Sequence, residues 1–211
     1  MNFNFKAFFM LLILFSSGIS LKAQNVLEKN ITAEKIDTIS INANQIFRIS
    51  VSTSKTDKIK IRSTLDGEYQ NEFQVVLSEN NHMLKLSLEH LSFNDIPDDK
   101  RNAHKVIAAT LHLEIPEDLA LNIVSDIGSV DLKGDFNSLY IQLLQGQCYI
   151  EGDAKTAMIN TFDGDINVVT KHAEVVANSN HGKITLDDFS DAISIWNLKS
   201  IKGNITVVKP D

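Results

Sequence analysis

The sequence predicts an all-β chain: a parallel β-solenoid of about 18 residues per coil, with two strands per coil, preceded by an antiparallel β region that caps it. Three observations carry this prediction. Four glycines stand at one fixed interval, Gly128, Gly146, Gly164 and Gly182, and a fifth, Gly203, follows after a slightly longer gap. Two and four residues after each glycine the chain is apolar: Val130/Leu132, Cys148/Ile150, Ile166/Val168, Ile184/Leu186 and Ile205/Val207. Apolar pairs also precede the first four glycines, at Leu121/Ile123, Leu139/Ile141, Ala157/Ile159 and Val175/Ala177, so short alternating segments recur about every nine residues. Alternation places one face of each strand inward, and stacking the units buries a ladder of aliphatics that no single unit could bury alone. No apolar run of helical period survives ten residues, which excludes a helical reading of the same Leu, Ile and Val.

The elements follow in order. Residues 1–23 carry Lys6, an apolar run from Ala7 to Phe15, and small or polar residues ending at Ala23, the three regions of a signal peptide. The expected mature chain is exported, to the periplasm, the outer-membrane surface or the exterior, and has no membrane span. Its formal charge falls from −7 to −9, since Lys6 and Lys22 are lost and residues 1–23 hold no acid. So acidic a chain, without a basic patch, is not expected to bind nucleic acid. One cysteine, Cys148, rules out an intramolecular disulfide. It falls at an inward position of its unit and is expected to be a small buried hydrophobe.

Residues 24–118 lack the glycine interval but alternate in segments such as IDTISI, IFRISV, KIKIRS, FQVVLS and MLKLSL. Hairpin-length links predict antiparallel pairing, in a region that closes the first edge of the repeats. The polar stretch from His90 to His104 predicts an exposed loop. Residues 119–211 are the repeats themselves, with Gly128, Gly146, Gly164, Gly182 and Gly203 as turn glycines.

An alternating β leader, then LHLEIPEDLALNIVSDIGSVDLKG, then units such as INTFDGDINV and SNHGKITL, resembles the bacterial putative-adhesin family of exported short-coil β-solenoid proteins. The resemblance spans roughly residues 30 to 208. It implies an envelope or surface location and no established enzymatic activity, and the chain is expected to act as a non-catalytic, adhesin-like binding or scaffolding protein toward an unidentified envelope protein or glycan. It supplies no catalytic residues and no cofactor.

Candidate chemistry is sparse. Asp163 and Asp165 flank Gly164, but the equivalent positions in the other units are Ile127/Ser129, Gln145/Gln147, His181/Lys183 and Lys202/Asn204. Only the glycine and the aliphatics recur, as turn chemistry requires. A calcium-stabilised roll would repeat its carboxylates, so Asp163 and Asp165 with Asp187, Asp188 and Asp191 make at most a weak calcium set. The six histidines show no zinc spacing, and there is no GxSxG. The rival class is a carbohydrate-active β-helix enzyme, a polysaccharide lyase or glycosidase, which would need converging carboxylates and cations. A binding surface has more support. Alternation points Tyr140, Met158 and Val176 outward in one row, and Tyr149 outward on the other sheet, to form either an exposed surface or one covered by the N-terminal region. Trp196 counts as inward from Gly203 and as outward from Ile184.

Overall fold

The computed structural model describes residues 25–67, 73–91, 108–189 and 192–210. The signal segment at 1–23, most of the polar stretch after His90, and Asp191 lie outside the described residues.

All regular structure among these residues is β: β1 (Asn25–Thr32), β2 (Thr38–Asn42), β3 (Ile46–Ser54), β4 (Lys58–Asp66), β5 (Phe73–Asn80), β6 (Met83–His90), β7 (Ala108–Pro116), β8 (Ala120–Ile127), β9 (Ser129–Gln145), β10 (Cys148–Asp163), β11 (Ile166–Val169), β12 (Ala173–Ser179), β13 (Ile184–Leu186), β14 (Ser194–Lys202) and β15 (Ile205–Val208). They pair in two ladders. The first runs β1-β4-β7-β3-β9-β10-β11-β15-β13. The second runs β5-β6-β2-β8-β9-β10-β14-β12. The long strands β9 and β10 pass through both, and their bends coincide with Gly134 (φ +111°) and Gly152 (φ +150°). Side chains rarely adopt that left-handed backbone, and a Cβ on Gly152 would overlap the Gly134 carbonyl. These two glycines, one repeat apart in KGDF and EGDA, mark the second corner, which alternation alone does not reveal.

Parallel pairing extends further toward the N-terminus than the links suggest. Among the described residues only β1–β4, β4–β7 and β5–β6 pair antiparallel. Strands β2 and β3 are parallel to β8 and β9, with Ile39 beside Leu121 and Ile49 beside Val130. The short link Ala43-Asn44-Gln45, with Gln45 at φ 67°, carries the chain from one ladder to the other instead of folding it back as a hairpin.

The stacking order differs from the chain order. A Cβ on Gly146 would overlap the carbonyl oxygen of Gly128; Gly164 stands in the same relation to Gly146, Gly203 to Gly164, and Gly182 to Gly203. Strands β14 and β15, last in sequence, are therefore inserted between β10–β11 and β12–β13. At the other end β2–β3 lies between β6–β7 and β8–β9. Positive φ accounts for Gly146 alone in this column, and the glycines are demanded chiefly by close approach of successive corners.

Inward side chains form one core. Ile49, Val130, Cys148, Ile166 and Ile205 make a buried row on the first ladder, and Ile41, Ile123, Ile141, Ile159 and Leu198 make one on the second. Trp196 is 0% exposed, packed beside the small Ala157, and its Nε1 donates to the Ala154 carbonyl at 3.2 Å. The count from Gly203 is thus the correct one, and Trp196 is a core residue with no surface to offer. Beneath the corners, Thr161 Oγ1 and Ser200 Oγ donate to the Gly164 carbonyl at 2.8 and 3.2 Å, and Ser179 Oγ donates to the Gly203 carbonyl at 2.8 Å. A Ser or Thr three residues before the glycine recurs in every unit but that of Leu143, a signal the apolar periodicity passes over.

Because Gly164 has no positive φ, Gly164→Ala tests close approach by itself. Overpacking at this corner should cost about 1–3 kcal/mol in urea unfolding; an unchanged midpoint would show that the corners are not held in contact.

Candidate binding face

The outward residues of the second ladder fall into rows fixed by the strand register. One row runs Asn122, Tyr140, Met158, Asn197, Val176. Insertion of β14 separates Met158 from Val176 by Asn197, so the continuous apolar stripe expected from the sequence is interrupted. Tyr140 is half-buried, whereas Met158 and Val176 are exposed. The next row is polar: Gln142, Asn160, Lys199 and Asn178, following Val124. Beside the corner lie Leu144, Phe162 and Ile201, the first two exposed. Val124, Leu144, Phe162 and Ile201, with Gln142, Asn160 and Lys199, line an open groove of about 400 Å³. The Lys202 Nζ stands 5.8 Å from the Phe162 ring centroid, a cation–π distance.

Leu144 and Phe162 escape the apolar count because they stand two residues before their glycines, where the other units carry Asp126, Asn180 and Ile201. Their spacing of one repeat was a signal available from sequence. The resulting face carries apolar groups on either side of a row of amides and one cation. Such a surface can stack on a flat apolar group while its amides donate to and accept from a polar partner.

On the first ladder the outer face is mostly polar, with Phe47 on β3 exposed as an apolar exception. Tyr149 is exposed there, between Asp131 and Asn167, and is on a different face from Tyr140 and Met158. Lys133 Nζ meets Glu151 Oε1 at 3.0 Å, which holds the ammonium above its usual range through the hydrogen bond and the charge of the carboxylate. Toward β1 a cleft of about 370 Å³ is lined by residues including Glu28, Lys60, Arg62, His112 and Glu114. Its acids are paired: Arg62 with Glu28 at 2.8 Å and Lys60 with Glu114 at 3.0 Å. Hydrogen bonds from Lys60 and Ser54 hold the Glu114 carboxyl below the usual carboxylate range, so it is ionised at neutral pH. A general acid needs the opposite shift.

The calcium candidates are dispersed. Asp165 Oδ1 accepts from the Asn204 amide at 2.6 Å, and Asp187 Oδ2 accepts from the Lys209 amide at 2.8 Å. Asp165 precedes β11, whereas Asp187 follows β13, two strands away and at the far end of the register. Insertion of β15 between these strands keeps the two acids apart. Asp163 lies beside Gln145 and Lys202, and Asp188 is exposed. Among the described residues no group of three or more His, Cys, Asp or Glu side chains could hold a metal ion.

No family model matches the chain. No curated protein matches its sequence. The fold, however, has solved counterparts. A putative cell adhesion protein from Clostridium sporogenes ATCC 15579 superposes with a TM-score of 0.65 at 13% identity, covering 89% of this chain and 100% of its own. A putative adhesin from Bacteroides fragilis NCTC 9343 matches with a TM-score of 0.39 at 12% identity, over 90% of this chain and 99% of its own. Another, from Parabacteroides distasonis ATCC 8503, gives 0.34 at 11% identity, over 89% and 98%. The Clostridium likeness establishes a shared fold. It agrees with the resemblance to putative adhesins read from the strand-Gly-strand units. Among the described residues no helix is long and apolar enough to cross a membrane.

Cys148 is 0% exposed, and burial pushes its thiol up to about 12. The native protein should therefore resist thiol reagents that label it at once in denaturant. A raised folded value has a definite sign. The contribution is complete below the unfolded pKa near 9 and is lost as pH rises toward 12. Wild type should lose stability relative to Cys148→Val across that window, by about 1.4 kcal/mol per pH unit at most; parallel stability curves would refute it.

Proposed function

We propose that this chain is an exported, non-catalytic binding module of the cell envelope, built as a β-solenoid whose second ladder carries the binding face. The solenoid reading is supported by two parallel ladders that share β9 and β10 and repeat in an eighteen-residue register. The observation that carries the binding role is the exposure of Met158, Leu144 and Phe162 on that ladder, in rows set around Gln142, Asn160 and Lys199. Large apolar groups on a rigid sheet are costly to leave in water and are retained where a partner covers them. The partner is an envelope protein or glycan.

The mature chain should bind envelope fractions or one class of polysaccharide on an array, and Met158→Ser/Phe162→Ser should weaken that binding about tenfold or more while leaving thermal unfolding nearly unchanged. Full retention of binding by the folded variant would reject the face. Depolymerisation of a bound polysaccharide would reject the non-catalytic reading.

A further inference from the structure

The two ends of the stack are finished differently. At one end antiparallel strands β1 and β5 lie outside the parallel ladders. At the other, β12 pairs only with β14, and β13 only with β15, among the described residues. Ile184 and Leu186 occupy inward positions beside Ile205 and Val207, yet they are 39% and 42% exposed while those neighbours are 0% exposed. Among the described residues these two side chains leave the core uncovered along β13, while the half-buried Val175, Ala177 and Phe189 pack against it.

We propose that this end pairs with the same end of a second copy, about a twofold axis passing through Thr185 on one ladder and Val176 on the other. The hydrogen-bonding parity of both edges fits such an axis. Lys183 accepts from the Ile205 amide and the Asp187 amide donates to Val207, each at 2.9 Å. Alternate residues turn their amide groups to opposite sides of a strand, so residues 183, 185 and 187 face β15, and Ile184 and Leu186 present theirs outward. At the two ends of β12 the Asn180 amide donates to Ser200 at 3.1 Å, and His172 accepts from the Ser194 amide at 3.2 Å. Even positions therefore face β14, and Val175 and Ala177 present their groups outward.

An antiparallel register centred on Thr185 sets Ile184 against the second copy's Leu186, where each free N–H meets a free C=O. The same axis, passing midway between Val175 and Ala177, sets those two residues against each other's counterparts on the second ladder. Side-chain charge agrees. Lys183 falls opposite the second copy's Asp187, and Glu174 opposite Asn178, so no like charges meet. Inward residues remain inward across the joint, and Ile184 and Leu186 continue the aliphatic rows from one copy into the next. Because the axis is closed, the product is a dimer and the rows stop there.

Cross-linking and sedimentation test this with the mature chain. Across an antiparallel non-hydrogen-bonded pair the Cα atoms lie about 4.5 Å apart, within disulfide range. Thr185→Cys should therefore link to itself under mild oxidation, and Thr206→Cys, one strand further in, should not. Buried Cys148 does not compete. Sedimentation should show a concentration-dependent dimer. Lys183→Glu should weaken it at least tenfold, and Lys183→Glu/Asp187→Lys should restore it. Ile184→Pro removes an outward N–H and the inward side chain while leaving the backbone bonds to β15 in place, and should abolish it. A monomer at every concentration up to millimolar would overturn the proposal. So would open-ended oligomers, or a dimer indifferent to Lys183→Glu and without the Thr185→Cys link.

Discussion

The structure depends on backbone touching backbone at one corner. Gly128, Gly146, Gly164, Gly203 and Gly182 lie over one another so closely that a Cβ on any one of the last four would overlap the carbonyl oxygen of the glycine before it. That spacing lets every strand leaving the corner pair in parallel with its neighbours without a slip. Register then follows everywhere: Val130, Cys148, Ile166 and Ile205 align because their corners align. The Thr161 and Ser200 hydroxyls donate to the Gly164 carbonyl and the Ser179 hydroxyl to that of Gly203, which ties successive corners together beneath the column. The aliphatic rows supply most of the driving force, but they can do so only where the corner keeps them in line.

This corner explains why so much of the fold could be read from the chain. Glycine is needed where no Cβ fits, and the residues two and four positions on must face inward, so Gly-x-apolar-x-apolar is written into each unit. What could not be read is the stacking order. Units ending at Gly164, Gly182 and Gly203 have interchangeable edges, since a parallel ladder is held by backbone groups that every residue carries. The longer interval before Gly203 was the visible trace, and it misplaced Trp196 in one of two counts. Burial beside Ala157 resolves the ambiguity by size: a large indole fits the row only where its neighbour is small. In the N-terminal half, alternation predicted strands correctly but could not separate the Ala43–Gln45 corner from a hairpin loop, because both links are short and polar.

The candidate face was legible in part for the same reason. Outward positions are free of the corner constraint, so their identities vary from unit to unit and only their direction is encoded. Direction placed Tyr140 and Met158 correctly. Neighbourhood depended on stacking order, which is why Asn197 stands between Met158 and Val176, and why Leu144, Phe162 and Ile201 come together from units that are not all adjacent in sequence. The acids follow the same rule. Asp165 and Asp187 belong to strands separated by β15, and each is engaged by a backbone amide.

Inserting the C-terminal strands β14 and β15 into the stack has a physical consequence for the end they would otherwise form. In a sequential stack the last-made strands form the exposed edge and are free to fray, whereas here β15 has β11 on one side and β13 on the other. The exposed edge is made instead by β12 and β13, internal segments tethered at both ends, so their separation from the stack would require loops of chain to open rather than a tail to peel away. Tethering lowers the entropy such an edge gains on detaching and keeps its amide groups in one fixed pattern. A fixed pattern of unpaired groups is what edge-to-edge recognition requires, and the same rigidity holds the rows around Phe162 in the arrangement a partner would meet.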